Sequence, residues 1–316
     1  MSTLRLAMEI GGTKLQAALG THDGEILDIE RGTAPAAEGA AAIMAWFAGA
    51  VPPMLERATA EGNTVGGIGV GFGGPVESAT GKVLVSHQVG GWEGFPLKAW
   101  CEERFGLPTA VANDSNAAGW AEYCRGAGRG TRHFCYMNIG SGIGGALIVD
   151  GRLHDGQGRG AGEIGHTYVP DWTAGTAGAA DKLEHLCSGW SIEKRLRASA
   201  RLDAGTPLFA LCDGDPGRIT TTLLGRAAAE GDVLALDAIQ RVAESIGIAL
   251  ANVVTLFHPE RIALGGGVSL MGEVLLDPIR CCVDARVFGP FRGRYEIVPC
   301  ALAESVVLVG ALLLAP

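Results

Sequence analysis

Residues 138–166 read NIGSGIGGALIVDGRLHDGQGRGAGEIGH. Gly140, Gly142, Gly144 and Gly145 stand between two apolar runs, 134–139 and 146–149. That pattern predicts strand, tight turn, strand. Glycines in such a turn let the backbone approach a ligand with its N–H groups exposed, which suits phosphate oxygens. Glu163 and His166 follow on a glycine-rich connection, where polar side chains are usually presented rather than buried. Taken alone, the stretch reads equally as a plain hairpin in a chain with 49 glycines.

A second copy of the pattern opens the chain. Met8-Glu9-Ile10-Gly11 and the run 15–19 resemble Met137-Asn138-Ile139-Gly140 and the run 146–149. Each copy leads into a polar turn, Asp23-Gly24-Glu25 in one and Asp150-Gly151-Arg152 in the other. A hairpin repeated at the start of each half predicts two similar α/β domains, with two glycine turns clamping a polyphosphate between them.

Working outward, the first half reads as a β-meander, then an alanine-rich helix over 36–60 that Pro52-Pro53 should break or kink. A strand over 65–71 runs into the turn Phe72-Gly73-Gly74-Pro75, and further strands are expected over 81–86 and 109–112. A helix is expected over 97–105. Asn113-Asp114-Ser115 then caps a helix over 116–125. In the second half, helices are expected near 183–200, 220–230, 232–257 and 270–283, with 201–220 irregular. A strand over 261–264 ends in Gly265-Gly266-Gly267, a strand near 296–299 follows, and a helix from residue 304 closes the chain. The expected division is 1–112 plus 301–316 for a smaller domain and 113–300 for a larger one.

Composition excludes several classes. The chain has 316 residues, 47% hydrophobic and 19% charged, enough to fill two cores. Its net charge of −9 and lack of a basic cluster argue against nucleic acid or an anionic membrane as partner. No apolar signal core precedes the first glycine turn, and the longest apolar run, 305–316, is too short to span a membrane, so a cytoplasmic protein is expected. Eight cysteines without any CxxC read as buried free thiols.

In order along the chain, these segments resemble the ROK family (repressor, open reading frame, kinase). These are sugar kinases within the actin-like ATPase, or ribonuclease H-like, fold. Residues 9–14, EIGGTK, are similar to its first phosphate motif, and 140–145, GSGIGG, to its second. Residues 69–76, GVGFGGPV, resemble the sugar loop, 92–97, WEGFPL, the tryptophan segment after it, and Asn113-Asp114 the pair that holds the catalytic base. GEIGH at 162–166, with Leu183-Glu184 and Ser188-Gly189, resembles the sugar signature, and LGGGVS at 264–269 the adenosine motif.

The resemblance implies a role for each residue. Asp114 is the general base, favoured in its ionised form by a helix N-terminus. Gly74, Asn113, Asp114, Glu163, His166 and Glu184 bind the sugar. Glu9, Gly11, Gly12, Thr13, Lys14, Gly140, Ser141, Gly142, Gly265, Gly266 and Gly267 bind ATP, with Glu9 near Mg²⁺ through water. The expected reaction is ATP-dependent phosphorylation of a hexose 6-hydroxyl. Glucose is favoured, and fructose, mannose or an N-acetylhexosamine are the alternatives. A homodimer is implied as well.

Three departures stand out. Glu9 replaces the usual aspartate. The family's three zinc cysteines fall at Gly175, Ala177 and Lys182, so no structural zinc site is expected and His166 is left to serve the sugar. His185 and Cys187 do not complete a ligand set with His166. His87-Gln88 takes the place of Pro-Asn, and Gly73-Gly74-Pro75 the place of Pro-Gly-Pro. These changes leave a degenerate, sugar-sensing protein as the other reading. A repressor would carry a helix-turn-helix ahead of the first motif, where only eight residues stand, and an iron–sulfur ATPase activator would carry a clustered cysteine pair unlike Cys281-Cys282.

Overall fold

Large and small apolar residues alternate along the first strand, and that alternation sorts the first half of the molecule into two faces. The computed structural model describes residues 2–34, 36–86, 88–199 and 202–316. In β1 (Thr3–Ile10), Leu6, Met8 and Ile10 join one buried cluster and Ala7 another, as the two-residue side-chain period requires. β1 pairs antiparallel with β2 (Lys14–Gly20), and β2 with β3 (Ile26–Thr33). α1 (Gly39–Ala60) lays Ile43, Phe47, Val51 and Met54 on the large-residue face. It runs through Pro52 and Pro53 as one helix, without the break that was one of the two expected outcomes. Its buried face outweighs the two missing N–H donors.

β4 (Thr64–Phe72) lies parallel to β1, with Met8 opposite Val70. A two-stranded ribbon follows, β5 (Val76–Glu77) and β6 (Lys82–Val83), so only two residues of the strand expected over 81–86 form. After α2 (Leu97–Phe105), β7 (Thr109–Asn113) pairs parallel with β4 and completes the order β3-β2-β1-β4-β7. α3 (Asp114–Arg125) then starts at Asp114 itself, two residues earlier than expected.

The second sheet contains β8 (Phe134–Ile139), β9 (Ile143–Val149), β10 (Arg152–Leu153), β13 (Arg261–Gly265) and β14 (Glu296–Pro299), and a small hairpin, β11 (Tyr168–Pro170) with β12 (Ala180–Lys182), stands apart from it. The helix expected over 183–200 is two, α4 (Leu183–Cys187) and α5 (Gly189–Ser199), because Ser188 is extended. The stretch 201–220 is not wholly irregular, since α6 (Pro207–Leu211) forms there behind a Thr206 cap. α7 (Thr221–Ala229) and α8 (Val233–Phe257) lead to β13 (Arg261–Gly265). α9 (Glu273–Arg286), β14 (Glu296–Pro299) and α10 (Val306–Leu314) end the chain. β13 pairs parallel with both β8 and β14. The resulting order, β10-β9-β8-β13-β14, repeats the first sheet's order position for position.

Contacts divide the chain into 1–129, 146–161 and 301–316 on one hand and 130–145 and 162–300 on the other. The expected division, 1–112 with 301–316 against 113–300, differs from this one in the side given to α3 and to residues 146–161. α3 packs on α10 within the first unit, which explains its assignment. α10 also covers the small-residue face, where Leu308, Ala311 and Leu312 meet Ala7 and Ala18. The approach is close: a Cβ on Gly69 would stand 1.8 Å from the Ala311 carbonyl oxygen. All eight cysteines are free. Burial pushes the Cys101, Cys135 and Cys187 thiols up to about 12. Cys281, in contrast to the buried thiols expected, is exposed on α9.

Candidate active site

In the first unit, the strand ends of β1 and β7 bring the acidic groups together. Glu9 is buried near the end of β1, and its Oε1 lies 3.1 Å from Lys14 Nζ at the start of β2. Among the described residues its Oε2 is buried with no hydrogen-bond partner. Burial raises the Glu9 carboxyl above its ordinary value; the Lys14 ammonium opposes this, and the nearby Asp114 charge adds to it. Between β1 and β2 the turn is closed by Gly11 N donating to Lys14 O. Thr13 O accepts from Ala34 N. The Gln88 amide occupies the space that a Cβ on Gly12 would need, a neighbour the motif did not reveal. His87 lies outside the described residues.

Asn113 is the true N-cap of α3. Its Oδ1 accepts from Ser115 N at 2.9 Å and Asn116 N at 3.2 Å, and its Nδ2 donates to Gly74 O at 3.1 Å. The side chain expected to read a sugar hydroxyl therefore also holds the helix and the Gly73-Gly74 loop in place. Asp114, the first helical residue, accepts from Ser115 N at 2.7 Å through Oδ1. Its Oδ2 points toward Gly73, 3.5 Å from where a Cβ would stand there. Gly73 N in turn donates to Ile10 O, so the sugar loop is joined to the end of β1. Behind Asn113 lies a cavity of about 180 Å³ whose lining includes Ser78, Asn116 and Asp155.

In the second unit, the glycine loop after β8 is the meeting point. Gly140 N donates to Gly142 O, and Gly189 N to Gly140 O, which docks the start of α5 on the loop. Val268 N donates to Ile139 O, so the Gly265–Gly267 turn adjoins the same strand end. Gly266 has φ +83°, and a Cβ there would meet Ile139 O at 2.5 Å, so only glycine suits the position. Gly267 faces open space. The Glu163–His166 turn packs on the loop's far end: a Cβ on Gly165 would stand 2.1 Å from Ile143 O. Glu163 and His166 are exposed, as presented side chains should be. Glu184 is different. Its Oε2 accepts from Ile143 N at 2.7 Å, so it bonds to the glycine loop itself. No residue-type pattern marks a backbone donor such as Ile143, and this contact was not foreseen.

The segment that lacks the zinc cysteines has its own support. Gly175 and Ala177 lie in an exposed turn between β11 and β12. Lys182, at the third cysteine position, places Nζ 3.2 Å from His166 Nδ1. An ammonium only donates, so Nδ1 accepts and the ring hydrogen sits on Nε2. Trp172 anchors the turn by donating from Nε1 to Ser245 Oγ on α8 at 3.1 Å, with the Arg195 guanidinium 4.3 Å from its ring. Cys187 is buried and His185 pairs with Asp181, so neither turns to His166. Among the described residues no cluster of three or more His, Cys, Asp or Glu side chains suits a metal ion, and no helix is long and apolar enough to cross a membrane.

Comparison with known proteins bears on both units. A model of the ROK family matches residues 5–316. The chain is 33% identical over 312 residues to a glucokinase of Streptomyces coelicolor, covering 98% of this chain and 96% of that one. It is 34% identical over 277 residues to a glucokinase of Halalkalibacterium halodurans, covering 87% and 83%. A solved ROK family glucokinase from Streptomyces griseus, in complex with glucose and AMPPNP, matches 98% of both chains at 33% identity with a TM-score of 0.80. The two repeated sheets are accordingly those of the actin-like ATPase fold. With all but its first few residues matched, the chain belongs to the ROK family.

Proposed function

We propose that this sugar kinase transfers the γ-phosphoryl group of ATP to the 6-hydroxyl of a hexose, glucose first, with Asp114 as general base. The observation that carries the reading is the Glu9–Lys14–Asp114 cluster at the strand ends of the first unit. In a chain matched to glucokinases over nearly its whole length, that cluster combines a base, a buried carboxylate and a cation. Phosphoryl transfer asks for little else from the protein than positioning, charge neutralisation and a proton acceptor.

In this reading Asp114 Oδ2 accepts the proton of the attacking hydroxyl, while Oδ1 stays anchored on Ser115 N. Glu163 and Glu184 accept from ring hydroxyls, and His166 donates from Nε2, the nitrogen left free by Lys182. Backbone N–H groups of the loops at 11–14, 140–145 and 265–267 receive the phosphates and adenosine. The unpartnered, buried Glu9 Oε2 fits a cation or its water shell, since an ionised carboxylate in such a place needs a positive neighbour. Glu9 would hold Mg²⁺ there, and the ion would supply charge neutralisation for the phosphates. Lys14 holds the other Glu9 oxygen and keeps the carboxylate aimed.

A coupled assay over a hexose panel with ATP and Mg²⁺ tests the reading. Turnover should be highest with glucose and absent without Mg²⁺. Asp114→Asn should lower kcat by roughly 10²–10⁴-fold with hexose KM little changed, the range for losing a general base. Full activity of D114N, or no turnover with any hexose, would refute it.

A further inference from the structure

The bond between Glu184 and the glycine loop has a consequence for how two ligands bind. Glu184 lies in the first turn of α4, and its Oε2 accepts from Ile143 N at 2.7 Å. Such a charge-assisted bond is short and directional. The loop makes room for it: a Cβ on Gly142 would stand 2.6 Å from Glu184 Oε2. The carboxylate therefore closes the loop at its far end, as Gly189 N on Gly140 O closes it at the near end.

The same short region carries the sugar signature. Leu183 N donates to Thr167 O, which ties α4 to the turn bearing Glu163 and His166, and that turn packs on Ile143 O. Ser191 Oγ donates to Glu184 O and fixes the residue's backbone. Among the described residues Glu184 Oε1 makes no hydrogen bond, while Oε2 is engaged.

We propose that Glu184 serves both ligands at once. Its Oε2 positions the nucleotide loop, and its Oε1 accepts a hydroxyl of the sugar. A sugar bound on Oε1 fixes the side chain in the orientation that orders the loop, so the nucleotide meets a loop already in place. By linkage the nucleotide strengthens sugar binding by the same factor. This rests on the hexose kinase reading above, in which 140–145 takes the nucleotide.

Calorimetric titration of Mg-AMPPNP into the full chain, with and without the hexose that turns over best, tests the proposal. In the wild type the saturating sugar tightens AMPPNP by about fivefold or more, the lower end of typical coupling. Glu184→Ala weakens AMPPNP in the absence of sugar by about tenfold, the scale of one lost charge-assisted bond, and abolishes the effect of sugar on AMPPNP. Glu184→Gln keeps an acceptor for Ile143 N and should show a smaller loss in the same direction. It serves as the test if the alanine variant does not fold. A residue that bound only sugar would leave the sugar-free AMPPNP affinity unchanged, and that result in either folded variant overturns the proposal. A wild type that binds neither AMPPNP nor any hexose overturns the kinase reading itself.

Discussion

At the scale of single residues, Glu9 is the group whose chemistry is most exposed to test. Burial raises its carboxyl above 4.5, so the folded chain holds that proton more tightly than the unfolded chain. The associated stabilisation is fully present below pH 4.5 and is lost as pH rises through the raised value. Glu9→Gln has no proton to lose. Its melting temperature should therefore gain on the wild type as pH climbs from 4.5 and level off above the raised value. On the proposed mechanism, which assigns this carboxylate to the metal and phosphates, its kcat should fall roughly 10- to 100-fold. A pH-independent difference in melting temperature between the two proteins would show that the Glu9 carboxyl is unperturbed. The sequence already singled out Glu9, Asp114 and Lys14, because their side chains define the motifs they sit in. It was silent on Ile143 N and on Lys182 beside His166. The first is a backbone group without a residue-type signature, and the second is a lysine that reads as solvated until its neighbour is known.

Among the elements, the hairpin of β11 and β12 shows how a short segment without zinc cysteines stays ordered. Its register pairs Tyr168 with Lys182, and Trp172 in its turn stands between α8 and the Arg195 guanidinium. Trp172→Ala removes an indole, one hydrogen bond and a cation–π contact. The loss should be about 2–3 kcal/mol for a half-buried tryptophan, seen as a lower denaturant midpoint. On the proposal that His166 binds the sugar, it should also raise hexose KM by roughly threefold to tenfold with AMPPNP affinity unchanged, because Lys182 no longer steadies His166 from a fixed hairpin. Purified protein should hold substoichiometric zinc, and EDTA should leave the midpoint where it was. One zinc per chain, or a midpoint that falls on chelation, would refute a metal-free hairpin. Helix ends were the least legible part of the sequence. Ser188 splits α4 from α5 with no proline or glycine ahead of it, because its hydroxyl and backbone join the Ser191 and Glu184 bonds instead. α1 kept its two prolines because the apolar spacing 43, 47, 51, 54 continues past them.

Across the whole molecule, the repeated hairpin announced the repeated sheet order, since an antiparallel pair at the head of each half fixes where the later parallel strands add. The unit boundary inside β9 was not legible, because nothing in the run 146–149 distinguishes the side on which its contacts fall. The chain leaves the first unit and returns twice, and one buried carboxylate meets the last return. Glu122 on α3 is fully buried. It accepts from Ala127 N at 2.7 Å and Ala301 N at 3.1 Å through Oε2, and from Leu302 N at 2.7 Å through Oε1. Those last two donors lie 179 and 180 residues away in sequence, so the contact closes a very long loop and seats α10 on the first sheet. Glu122→Gln replaces one of two accepting oxygens with an NH₂ that faces N–H donors. The variant should lose about 2–4 kcal/mol, the scale of a buried donor left unsatisfied. Hydrogen exchange gives the specific readout. Amides of Ala127, Ala301 and Leu302 should lose protection, and so should α10, whereas β8 and β13 in the other unit should keep theirs. Unchanged protection at 301 and 302 would mean that packing of α10 alone, and not the Glu122 carboxylate, returns the chain to the first unit.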